Sequence, residues 1–209
     1  MPKKISTEFL AQYQKLRGRI KSGLKYIKEQ GDKIEKIYNL IEDTREQGDS
    51  IHIYAKGRSG SAAVSLALRL QNFGYKVCFI GDVIKEPINS GHVAFLFSGS
   101  GETDEVVGVA RRAKREHATV VSVTSYEDSS LAKKSDMVFI LPGGMEKKKG
   151  WAYLESQLTK EPSPLYGGGE FELLSYLFQE ALVNAIGIHR GIPQGIVAKT
   201  HVKDEVMEE

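Results

Sequence analysis

From residue 50 onward the chain alternates short apolar runs with longer amphipathic stretches, a pattern that few folds accommodate. The runs 51–55, 76–80, 93–97, 119–123 and 137–141 are rich in β-branched and aromatic residues and show little alternation with polar ones. A strand that is apolar on both faces must be covered on both faces, so the five runs read as a parallel sheet between helical layers. Helices are expected over 59–73, 103–116 and 128–134, with a strongly apolar helix from Glu170 to Ile188. The fold class is therefore α/β, a three-layer, doubly wound parallel sheet of the flavodoxin-like type.

The first 47 residues are of a different kind. Phe9, Tyr13, Leu16, Ile20, Leu24 and Ile27 recur at spacings of three and four and form one helical stripe. Gly31-Asp32 interrupts that helix, and Ile34, Ile37, Leu40 and Ile41 begin a second. Residues 1–47 thus make a helical pair that packs on its own sheet or on another subunit; the pattern is compatible with either. The core spans 48–190, and residues 191–209 form a tail with turn residues Pro193 and Gly195 followed by charges. Within the core, 143–169 holds Gly143-Gly144, Pro162, Pro164 and Gly167-Gly168-Gly169, a long connection of the kind that often carries function.

Charge and composition exclude several classes. A net charge of +2, with lysines scattered among acids, gives no electrostatic basis for a nucleic-acid partner. Lys147-Lys148-Lys149 reads as a solvated loop. The single cysteine, Cys78, cannot form an internal disulfide and is expected as a small buried hydrophobe. No run approaches the ~18 apolar residues of a membrane span, and the start of the chain does not resemble a signal peptide, so a cytoplasmic protein without a membrane partner is expected. Histidine and carboxylate spacings match no ligand template, so no metal is expected.

Two turns stand where a strand should pass into a helix: Gly57-Arg58-Ser59-Gly60, and Ser98-Gly99-Ser100-Gly101-Glu102-Thr103. Glycine lets the backbone approach a ligand, and hydroxyls with free N–H groups at a helix start attract anions. On neighbouring strands the two turns would line one pocket at the carboxyl edge of the sheet. Gly57, Arg58, Ser59, Ser98, Gly99, Ser100 and Thr103 are the candidate residues for a phosphorylated small molecule. A dinucleotide is disfavoured, because Lys56 stands where the first glycine of G-x-G-x-x-G belongs, and no triphosphate loop is present. Glu102 is read as a carboxylate in the first turn of the following helix, matching its dipole. Thr124-Ser125 and Ser129-Ser130 either cap the next helix or join the pocket.

These turns, with Arg69-Leu70, Phe73-Gly74 and Asp128-Ser129-Ser130-Leu131-Ala132, resemble the sugar isomerase (SIS) domain family from about residue 8 to 201. Within it the chain is most similar to the 6-phospho-3-hexuloisomerase group. The resemblance implies a ketose-phosphate isomerase working without a cofactor. The reaction would interconvert D-arabino-hex-3-ulose 6-phosphate and fructose 6-phosphate through a cis-enediol, in the ribulose monophosphate pathway. It also implies a homo-oligomer, tetramer or dimer, whose tail 191–209 contributes to an active site. That group carries a Pro-Leu-Gly-Thr-x-Phe-Glu segment, matched here by Pro164-Leu165 and Phe171-Glu172 with two extra residues between, so Glu172 inherits the proton-carrying role. Those insertions leave Glu170 as the competing base. An Arg-His pair near the family's end becomes Thr200-His201, and His201 is the second catalytic candidate. The chain departs from the group at Ala55-Lys56 and over Val83–Pro87, around the sugar-contacting rim. An isomerase of another sugar phosphate and a non-catalytic phosphosugar sensor remain the alternatives.

Overall fold

The computed structural model describes residues 4–83, 86–144, 169–193 and 195. Along the chain run α1 (Ile5–Lys28), α2 (Gly31–Glu46), β1 (Ile51–Ala55), α3 (Gly60–Asn72), β2 (Val77–Phe79), β3 (Val93–Phe97), α4 (Asp104–Arg115), β4 (Thr119–Thr124), β5 (Met137–Ile140) and α5 (Glu170–His189). The strands form one five-stranded sheet in the order β2-β1-β3-β4-β5, every neighbouring pair parallel. Chain order reverses direction between β1 and β3, the topological switch point of a doubly wound sheet.

Side chains alternate across the pleat, which divides the interior into two cores. Ile51, Ile53, Phe95, Phe97, Val121, Val123 and Phe139 face α2, α3 and α5, where Ile37, Ile41, Leu66, Leu70, Leu174 and Phe178 meet them. Ala94, Leu96 and Val120 face the other way, against Val106, Ala110 and Ala113 of α4. The first core is much the larger. Phe95, Phe97, Phe139 and Phe171 are fully buried, each stabilising the fold by about 1.5–3 kcal/mol relative to exposure. Phe139 and Phe178 pack tilted with centroids 4.6 Å apart, joining β5 to α5. These are the three layers expected of the strand pattern.

Three local expectations need correction. The stretch 128–134 is not an α-helix: only a 3-10 turn at Ala132–Lys134 forms. Ser129 Oγ accepts the Ala132 N–H at 3.2 Å and a Glu102 carboxylate oxygen accepts the Ser130 N–H at 2.7 Å. Side chains thus take the donors that a helix would have used. Cys78 is half-buried rather than buried, because β2 is an edge strand of only three residues. Glu102 lies outside α4, whose first-turn acids are Asp104 and Glu105.

The helical pair splits its allegiance. From α2, Ile37 and Ile41 enter the main core. The last part of α1 docks on α5: Gly23 packs directly on the Leu174 side chain, which would have to shift to admit a Cβ, and Ile27 packs against the core. Among the described residues the first part of the α1 stripe stays largely uncovered, with Phe9 67% and Tyr13 59% exposed.

Candidate functional site

β1 and β3 are direct neighbours, with Ala55 opposite Phe97, so the two glycine-serine turns leave the same edge of the sheet side by side. Gly57 takes φ +67°, open to glycine at no cost, and Gly57–Ser59 form a 3-10 turn leading into α3. Ser59, Ser98 and Ser100 are all buried, which is unusual for serines without a ligand or structural duty.

The bonds within the second turn are specific. Ser98 Oγ lies 3.2 Å from Thr103 Oγ1 and accepts the Gly101 N–H at 3.2 Å, while Ser100 Oγ accepts the Glu102 N–H at 3.2 Å. Most of these contacts use oxygen lone pairs. The Ser100 proton, and one of the two in the Ser98–Thr103 pair, are still available to donate. Thr103 is the N-cap of α4, but its side chain makes no cap bond, so its hydroxyl does not occupy the N–H groups at the start of that helix. Asp104 and Glu105 oppose an anion there; Lys56 offsets part of that charge, with its Nζ 3.4 Å from Glu105.

Close packing holds the turn in place. Gly101, at φ +65°, nests against Ser129 and Thr124, where a Cβ would overlap both. The Ser125 N–H donates to the Gly99 carbonyl at 3.1 Å, and the Leu131 N–H to the Gly101 carbonyl at 2.9 Å. A Cβ on Gly99 would strike the Phe171 ring and Gly144. Ser125 Oγ in turn accepts the Gly144 N–H at 2.8 Å, and the Tyr126 hydroxyl donates to the Gly144 carbonyl at 2.8 Å. Ser125 and Ser129 are therefore braces for the turn. Glu102 likewise ties the turn to the segment after β4.

The same contacts place the start of α5 over the turn. Gly169 precedes α5 at φ +96°, and its N–H donates to Glu172 Oε2 at 3.0 Å. The same oxygen lies 3.3 Å from Arg58 Nη2, a pair 114 residues apart in sequence. Two residues expected from separate motifs thus meet at one edge. Glu170 points elsewhere: its carboxylate is paired with Arg19 of α1 at 2.8 Å and is 13% exposed, against 27% for Glu172. Arg19 had no signal in the sequence, since nothing local marks a partner 151 residues away. His201 lies outside the described residues, as do most of the long connection with Lys147-Lys148-Lys149 and most of the tail.

None of the described helices is long and apolar enough to cross a membrane. A family model described as the SIS domain matches residues 45–159. An uncharacterized protein of Archaeoglobus fulgidus is 32% identical over 168 residues, covering 80% of this chain and 85% of that relative. The 3-hexulose-6-phosphate isomerase of Bacillus subtilis is 29% identical over 149 residues, 71% of this chain and 76% of that enzyme. In three dimensions the chain resembles a hypothetical protein of Methanococcus jannaschii, described as inferring a 3-hexulose-6-phosphate isomerase function. That likeness has a TM-score of 0.72 at 19% identity, over 90% of this chain and 96% of that one, and bears on the fold.

Proposed function

The chain belongs to the SIS domain family, and from that premise we propose that it is a phosphosugar isomerase, interconverting D-arabino-hex-3-ulose 6-phosphate and fructose 6-phosphate. The observation that carries the reading is the meeting of Arg58 and Glu172 above the paired turns. Ser59, Ser98, Ser100 and Thr103, with the backbone of Gly57 and Gly99, hold the phosphate at the edge where β1 and β3 part. Arg58 stands between that anion and the carboxylate.

Moving a carbonyl from C3 to C2 requires one base that serves two adjacent carbons, and donors for the enediolate oxygens. Glu172 takes the C2 proton of the hexulose and returns it at C3. Its Oε2 is held by Arg58 and the Gly169 N–H, which orients the carboxylate. The Arg58 guanidinium also balances the negative charge that develops on the substrate. His201 assists by moving protons among the hydroxyls. A 3-ketose phosphorylated at O6 has no route to a five-membered ring, so the forward reaction starts from the open chain. Coupled turnover on a panel of phosphorylated ketoses tests this reading: the 3-hexulose 6-phosphate should be consumed fastest. Binding of sugar phosphates without turnover of any would favour the sensor instead.

The functional unit is a homo-oligomer. The exposed Phe9 and Tyr13 of α1, together with Val64 and Leu68 of α3 and Tyr176 and Leu177 of α5, leave apolar surface that a second copy would cover. Light scattering on an active sample should report a dimer or tetramer; an active monomer at assay concentration would refute it.

A further inference from the structure

His52, Glu86 and His92 are scattered in sequence, and none has a role in the proposed isomerisation. The alternation that sends Ile51 and Ile53 into the main core turns His52 to the α4 side, and His92 precedes Ala94 and Leu96 on that side. His52 and His92 are 1% and 7% exposed. Their rings stack with centroids 5.1 Å apart, and His52 Nε2 lies 2.9 Å from His92 Nδ1. Glu86 arrives from the β2–β3 connection with its Oε1 buried 3.9 Å from His52 Nε2, and the Ser50 hydroxyl beside the carboxylate holds its pKa below the usual value. Its other oxygen is held by Lys76 Nζ at 3.2 Å, which fixes the carboxylate with Oε1 toward the imidazoles.

We propose that His52, Glu86 and His92 bind a divalent transition-metal ion, zinc being the best match to two imidazoles and a carboxylate. One ligand atom from each residue lies within 4.8 Å of the other two. Ligands about 2.0–2.2 Å from a tetrahedral ion stand roughly 3.3 Å apart, against 2.9 Å between the two imidazole nitrogens and 3.9 Å from His52 to Glu86, so binding an ion requires the rings to turn from facing one another and Glu86 to close in. The Asn89 N–H reaches His92 Nδ1 at 3.3 Å, a long bond that the ion would replace. Lys76 is then the outer partner that orients the carboxylate ligand.

The place suits an ion with an open coordination position. No helix forms among the described residues between β2 and β3, and a cavity of about 540 Å³ lies there against α4. His52 and Glu86 are in its wall with Ile88, Val109 and Arg112, so a fourth ligand can enter from it. The site sits at the second residue of β1 and before the first residue of β3, toward the amino edge of the sheet. Its success or failure is therefore independent of the isomerase reading. The ion would clamp the β2–β3 connection to the sheet.

The test uses the metal alone on untagged protein stripped with chelator. Titrated Co²⁺ should give the intense visible bands of a tetrahedral site at one ion per chain, bleached by added Zn²⁺. Zn²⁺ at about a hundredfold over its Kd should raise Tm by several degrees. Glu86→Gln, a change on the connection rather than in the sheet, should keep the fold and weaken Co²⁺ at least tenfold. His92→Gln supplies a second ligand deletion with the same expectation. No tetrahedral cobalt bands in the wild type, or bands of equal strength and affinity in Glu86→Gln, would overturn the site.

Discussion

Replacing Glu172 by Gln should leave the fold and sugar-phosphate affinity intact while lowering kcat by at least 10³-fold, to the limit of detection. Glutamine keeps the shape and can still accept the Gly169 N–H and face Arg58, the two contacts that hold this side chain. It cannot carry a proton between C2 and C3. General acid–base assistance is worth roughly 10²–10⁴ in rate, and here one group serves both transfers. An interaction needed only in the transition state appears in kcat rather than in KM. The control is Glu170→Gln, which loses a salt bridge to Arg19 and should change turnover little. If Glu170→Gln is the dead variant and Glu172→Gln is active, the two extra residues before Phe171 shift the catalytic register, and Glu170 is the base. Should both retain wild-type kcat, the enediol mechanism built on this helix start fails.

Ser100→Ala should weaken sugar-phosphate binding by about one to two orders of magnitude, read by calorimetric titration. The buried hydroxyl accepts the Glu102 N–H and has its own proton to offer. A hydrogen bond to a charged acceptor contributes roughly 1.5–3 kcal/mol, which sets that range. Stability should fall less, since the Glu102 N–H loses one long contact while Ser98 and Gly101 retain theirs. Unchanged affinity would remove the phosphate from this turn.

How much of this was legible in the chain differs by element. The apolar runs 51–55, 93–97 and 119–123 declare buried parallel strands because nothing else buries both faces of so short a segment. The two turns could be placed at one carboxyl edge once the strands were read as neighbours, and β1 does pair with β3. The 128–134 stretch misled because its composition suits a helix start, whereas Ser129 and Glu102 capture its N–H groups. Edge position, which exposes Cys78, is a property of strand order and not of the run around it. Long-range pairs are the least legible. Arg58 with Glu172, Arg19 with Glu170, and the His52–Glu86–His92 cluster join residues whose local surroundings give no hint of a partner. A proline or a glycine acts through its own backbone and can be read locally; an ion pair across the fold cannot.

Proton transfer by Glu172 between C2 and C3 of a phosphorylated ketose is the step on which the proposed isomerisation rests. The most direct measurement is to hold the protein with fructose 6-phosphate in D₂O and locate the deuterium by NMR. An enediol spanning C2 and C3, handled by one base in partial exchange with water, predicts deuterium at C3 and none at C1, with the label absent in Glu172→Gln. Deuterium at C1 would instead mark an aldose–ketose isomerase, and no deuterium at either carbon would contradict the assigned reaction.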